Sequence, residues 1–199
     1  MASSPSSPQP SPAVEPLAAA AARTIALQML EERGRGAVLV GVARVDTALE
    51  HLLQAVMTPT PTKGDGLFLP DRPLGSLGAK AALASRLGLI DAPVAQALAV
   101  LRKLRNAFAH STESASLADP AHSARLAEVV TQARTNPLWT PLETVLAAQP
   151  PTPHGPLDPA LRDYILLITI LVAFLEASAH QLQPFEPPVV MSFAGVMVS

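Results

Sequence analysis

The run from Tyr164 to Leu175, YILLITILVAFL, constrains this chain more than any other stretch. It is apolar throughout except for Thr169, and Arg162, Asp163 and Glu176 flank it. A bilayer span needs about 20 apolar residues, so the run is too short to cross a membrane. A helix that is apolar on most sides belongs in the middle of a soluble core. Other helices must then cover it. The 199 residues suffice for one domain with a proper core. A hydrophobic content of 49% against a charged content of 15% points the same way, to a compact helical protein.

The punctuation predicts about seven helices and no strand, an all-α irregular bundle. Residues 1–13 form a Ser/Pro tail expected to be disordered. Helix one is expected over Pro16–Arg33, stopped by Gly34. Helix two is expected over Gly36–Met57, with Val38, Val42, Val45, Leu49, Leu52 and Val56 at helical intervals. A Pro/Gly loop from Thr58 to Gly75 carries an apolar knot, Leu67-Phe68-Leu69. Ser76 caps helix three, which Gly88 closes. Asp91 caps helix four, which runs to His110. Asp119-Pro120, Thr140-Pro141 and Asp158-Pro159 each set a capping oxygen before a proline at the first helical position. They open helices over 120–134, 141–148 and 159–182, the last two separated by a Pro-rich linker, Pro150–Pro156. The helical domain is thus expected over 14–183. An apolar tail follows over 184–199, docked on the domain or in contact with a partner.

Helix four carries the chemistry. In LRKLRNAFAH, Leu101, Leu104 and Phe108 face the core, while Asn106 and His110 share a stripe with Lys103. Arg105 and His110 are five apart, roughly 140° around a helix, but a long arginine can wrap toward the helix end. Arginine grips phosphate bidentately, and histidine titrates near neutrality and can move a hydroxyl proton. Asn106 can orient either one. The alternative is structural: an arginine paired to helix two and a histidine favoured by the helix C-terminus. Helix two holds the matching acids, Asp46 and Glu50, at i, i+4. They are expected to face Lys80 or Arg105 across a helix interface, with Arg102 nearby. A single histidine, His51, beside two carboxylates is a poor metal site. No metal or other cofactor is expected.

Other classes drop out. The net charge is −2, so no overall basic field draws the chain to nucleic acid or membrane. With no cysteine, thiolate catalysis and disulfides are excluded. No Walker loop, dinucleotide fingerprint or Ser/His/Asp arrangement is present. The first basic residue is Arg23, so there is no charged leader, and a cytoplasmic location is expected. The Ala84–Val94 corner has helix-turn-helix spacing, but the first turns of helix four offer only Gln96 to a base edge and no cation to a phosphate. Duplex DNA is expected to bind weakly or not at all. His122, His154 and His180 are isolated, and Trp139 and Tyr164 read as core anchors.

Three blocks occur in order: RGAVLVGVARVDTALEHLLQAV, DRPLGSLGAKAALASRLGLI and LRKLRNAFAH. Together they resemble the mannitol operon repressor family over about residues 25–115. The resemblance implies an all-α transcriptional regulator without a dedicated DNA-reading element, working through a protein partner or a second copy of itself as a homodimer. That family in turn resembles a branch of the HEPN superfamily, which implies a HEPN-like core. Its ribonuclease members carry an Arg-x4–6-His motif matched here by Arg105, Asn106 and His110. This implies the alternative functions, a metal-independent endoribonuclease or a non-catalytic module that binds RNA or a nucleotide.

Overall fold

The computed structural model describes residues 14–32, 34–60, 64–110, 115–149 and 157–186. Among these it is all helical: α1 (Val14–Met29), α2 (Gly34–Val56), α3 (Leu77–Arg86), α4 (Ala92–His110), α5 (Pro120–Ala133), α6 (Trp139–Ala147) and α7 (Pro159–Ala179), with one 3-10 turn at Gly66–Phe68. The Ser/Pro tail, the 150–156 linker and residues 187–199 of the apolar tail lie outside the described residues.

The apolar run became the spine. Asp158 caps α7, its Oδ1 accepting from Ala160 N at 2.9 Å and Leu161 N at 3.1 Å, and Pro159 fills the first turn. Every residue from Tyr164 to Val172 is buried. Four helices pack on α7: α1, α2, α5 and α6. A smaller group, α3 and α4, packs on α2, and α5 links α4 back to α7. The α2–α7 contact is close because Gly41 lacks a side chain. A Cβ there would stand 2.5 Å from the Tyr164 hydroxyl, which donates to the Val38 carbonyl at 2.9 Å. Burial pushes this phenol well above its ordinary range, so it stays a donor. No helix of the described residues is long and apolar enough to cross a membrane.

Several boundaries moved for physical reasons. Helix one ends at Met29 rather than Arg33, because the chain breaks into a turn through Glu32. Gly34, at φ +50°, then starts α2 two residues earlier than expected. Thr140 does not cap α6. Asn136 opens that helix instead, its Oδ1 accepting from Leu138 N and its carbonyl from Trp139 N, so Thr140 and Pro141 fall inside the first turn. Asp119 stands at the N-cap of α5 but turns its carboxylate back to Ser116 N at 3.0 Å. Ser76, Asp91 and Gly88 act as read: Ser76 Oγ accepts from Ala79 N, and Asp91 Oδ1 from Val94 N. Gly88, at φ +71°, closes α3 with Gly88 N to the Ser85 carbonyl and Leu89 N to that of Ala84.

The 64–75 loop is ordered by two devices. Asp65 caps the 3-10 turn, and Leu74 N bonds the Leu67 carbonyl. Gly75 is required there, since a Cβ would overlap the Leu69 carbonyl oxygen. The apolar knot splits: Phe68 is buried, while Leu67 and Leu69 face out. Trp139 and Tyr164 are core residues, and the Arg134 guanidinium lies over the Trp139 ring at 5.1 Å. Trp139 Nε1 and Thr169 Oγ1 are buried with no hydrogen-bond partner among the described residues, and nothing in the structure accounts for it.

Candidate functional site

The acids of α2 find their base on α3. Lys80 is buried, with 2% of its side chain exposed. Its ammonium carries three protons and meets three oxygens: Asp46 Oδ1 at 2.9 Å, the Asp46 carbonyl at 3.3 Å and Glu50 Oε2 at 3.0 Å. The Asp46 Oδ1 contact is an ion pair whose angle falls short of a hydrogen bond. The Phe68 ring closes over the ammonium at 6.0 Å from its centroid. Both carboxylates keep about a third of their surface in water, which lowers the desolvation cost of the cluster. This cluster fixes how α3 sits on α2.

Arg105 does not share those acids. It is exposed on α4, and its Nη1 donates to the neighbouring Asn106 Oδ1 at 3.3 Å. With Asp46 and Glu50 held by Lys80, the expected pairing of Arg105 to helix two is replaced by this local contact. His110 is the exposed last residue of α4. His51 turns away from Asp46 and Glu50: its Nδ1 meets both oxygens of Glu176 at 2.9 and 3.1 Å, joining α2 to α7 at the surface.

Arg105 and Asn106 line a cleft of about 610 Å³ between α2, the start of α3 and α4. Leu39, Val42, Leu77 and Ala109 give it apolar walls, and Arg35, Arg102 and Arg105 give it three guanidinium groups. Asp46 is the one carboxylate among the described lining residues, and it shares Lys80 with Glu50. Arg35 caps α4, its Nη2 donating to the Ala109 carbonyl at 2.8 Å. Arg102 lies across the first turn of α3: a Cβ on Gly78 would stand 3.4 Å from its Nη1 and 3.5 Å from its Cδ. His110 is not among the described lining residues.

Sequence reasoning missed Arg35 and the start of α3 as parts of this cleft. The contact of Arg35 with Ala109 spans 74 residues of sequence and has no local signal. It also missed His122, whose ring packs on Phe108 at 5.1 Å and whose Nδ1 meets the Ser116 carbonyl at 2.9 Å.

A second cleft, of about 600 Å³, lies where the start of α4, the end of α5 and α7 meet, with Val94, Val129, Leu171 and Phe174 among its walls. It holds none of the sequence candidates. The start of α4, which would be the reading head of a helix-turn-helix, exposes Asp91, Ala92, Pro93 and Gln96. Arg86, at the end of α3, is the only exposed cation of that corner. No family model, curated protein or solved structure matches this chain.

Proposed function

We propose that this chain is a helical regulator of the mannitol-repressor-like kind that acts through protein contacts, as a homodimer or on a partner, rather than by reading DNA. One observation carries this reading. At the Ala84–Val94 corner, where a helix-turn-helix would read DNA, the surface offers an exposed Leu87 and a single cation, Arg86. Leu67, Leu69 and Leu87 are 41%, 55% and 51% exposed, whereas the first turn of α4 shows one amide, Gln96, and an acid, Asp91. The order of the three sequence blocks supports the same reading. The test is twofold. Light scattering of the purified chain should report a dimer or larger species that Leu69→Glu together with Leu87→Glu weakens. Duplex DNA at physiological salt should bind only in the salt-sensitive, sequence-independent manner of a weak electrolyte contact. A sub-micromolar, sequence-selective footprint would refute the reading and make the Ala84–Val94 corner a reading head.

The second reading, a metal-independent endoribonuclease with a HEPN-like core, is favoured by one specific observation. Arg105 and Asn106 stand side by side on a cleft that holds two further arginines. In it Arg105 stabilises charge on the transferring phosphate and His110 moves a proton, with a second copy bringing the histidine to the arginine. RNA cleavage by the wild type that His110→Ala abolishes, without loss of fold, establishes this reading and removes the first.

A further inference from the structure

The α2–α3–α4 cleft holds two guanidinium groups, those of Arg102 and Arg105, with no ion-pair partner among the described residues. Arg102 has neither an ion-pair nor a hydrogen-bond partner among them, although it lies over Gly78. Gly78 belongs to the first turn of α3, the positive end of that helix, where Ser76 Oγ takes the Ala79 N–H and those of Leu77 and Gly78 have no intrahelical acceptor. A cation resting on a helix N-terminus is unfavourable by itself. Arg105, on the same cleft, is bonded only to the neutral side chain of Asn106. Arg35 stands on the rim, its Nη2 donating to the Ala109 carbonyl. The one carboxylate among the described lining residues, Asp46, is paired at 2.9 Å with Lys80, which it shares with Glu50.

We propose that this cleft binds the phosphoryl group of a small phosphorylated molecule, held between Arg102, Arg105 and the N-terminal amides of α3. A dianion matches the charge better than a carboxylate, because two guanidinium groups and the first residue of α3 line the same cleft. The volume of about 610 Å³ lies within the range of small-molecule sites, about 300–1,000 Å³. The apolar walls give the body of a phosphate ester something to lie against. Bound there, the ligand joins the start of α3 to the second half of α4. The inference stands on the cleft alone and does not depend on the regulator reading.

The test is a titration of the full chain with inorganic phosphate, glycerol phosphate, a nucleoside monophosphate and the matching unphosphorylated alcohol and nucleoside. Binding is read by calorimetry and by the amide resonances of Leu77 and Gly78. Saturable binding of the phosphorylated compounds is expected, with those two amides moving and the unphosphorylated partners silent. Arg102→Gln and Arg105→Gln should each weaken binding by about tenfold or more, the value of a charge-assisted contact to phosphate. Lys103→Gln, an exposed lysine of α4 outside the cleft lining, should change nothing. An ester tighter than inorganic phosphate assigns the walls to its body, and equal affinity assigns the site to free phosphate. Either supports the phosphate site. Absence of saturable binding, equal binding of the unphosphorylated compounds, or equal weakening by Lys103→Gln overturns it. A short RNA that binds there far more tightly than any monoester overturns the small-molecule occupant.

Discussion

Replacing Lys80 by Met keeps most of the buried stem and deletes the charge, so it isolates what the ammonium does for Asp46 and Glu50. Removing one partner from a fully buried ion pair costs about 3–5 kcal/mol, while an exposed pair contributes about 1 kcal/mol or less. Here the lysine is fully buried but its two acids are 34% and 30% exposed. Water can take over part of their solvation, so the cost falls between the limits, at about 2 kcal/mol. The two carboxylates, one turn apart on α2, then repel each other without a cation between them. For a chain of this size about 2 kcal/mol lowers Tm by about 4–8 °C. Urea unfolding followed by helical circular dichroism measures it. Adding Asp46→Asn and Glu50→Gln to Lys80→Met should restore at least half of the loss, since no charge is then left unpaired. A loss under about 0.5 kcal/mol for Lys80→Met, the size of an ordinary surface change, would refute the reasoning. So would a triple variant no more stable than the single one.

Gly41→Ala should destabilise by about 1–3 kcal/mol, the range of overpacking, because its methyl meets the Tyr164 hydroxyl and Ile168; equilibrium unfolding measures it. Tyr164→Phe should cost about 1 kcal/mol by the same measurement, one hydrogen bond to a helical carbonyl. Gly88→Ala should cost about 1 kcal/mol for its left-handed backbone at φ +71°. Arg105→Ala and His110→Ala should each shift Tm by no more than about 2 °C, since both side chains are exposed and neither anchors the core; a large drop for Arg105→Ala alone would restore the structural role that its sequence position suggests.

What the sequence made legible was local. The capping oxygens of Ser76, Asp91 and Asp158, the left-handed Gly88 and the apolar run of α7 are short-range signals, and all of them act as read. Thr140 misled because a proline two residues into a helix looks the same as one at its first position. The decision belonged to Asn136, whose side chain could accept from Leu138. The acids of α2 were recognisable as a pair from their i, i+4 spacing. Which base answered them was not, because Lys80 and Arg105 are both plausible until the tilt of α3 on α2 is known. The cleft was the least legible part. Its arginines come from two helices, and its floor includes the first turn of a third. Only tertiary packing shows that Arg102 lies on Gly78.

The spine has a consequence for how the chain is made. Helices α1 and α2 bury their apolar faces on α7, and α7 begins about a hundred residues after α2 ends. At a synthesis rate of about 5–20 residues per second, that interval lasts on the order of 5–20 s. During it the nascent chain carries two amphipathic helices whose partner does not yet exist. Contacts between distant segments also slow the search that follows, because loop closure precedes the contacts that reward it. The step most exposed to misassembly is therefore the arrival of α7 between helices synthesised long before it. A ribosome stalled before Asp158 holds α1 and α2 uncovered, where a holding chaperone can find them.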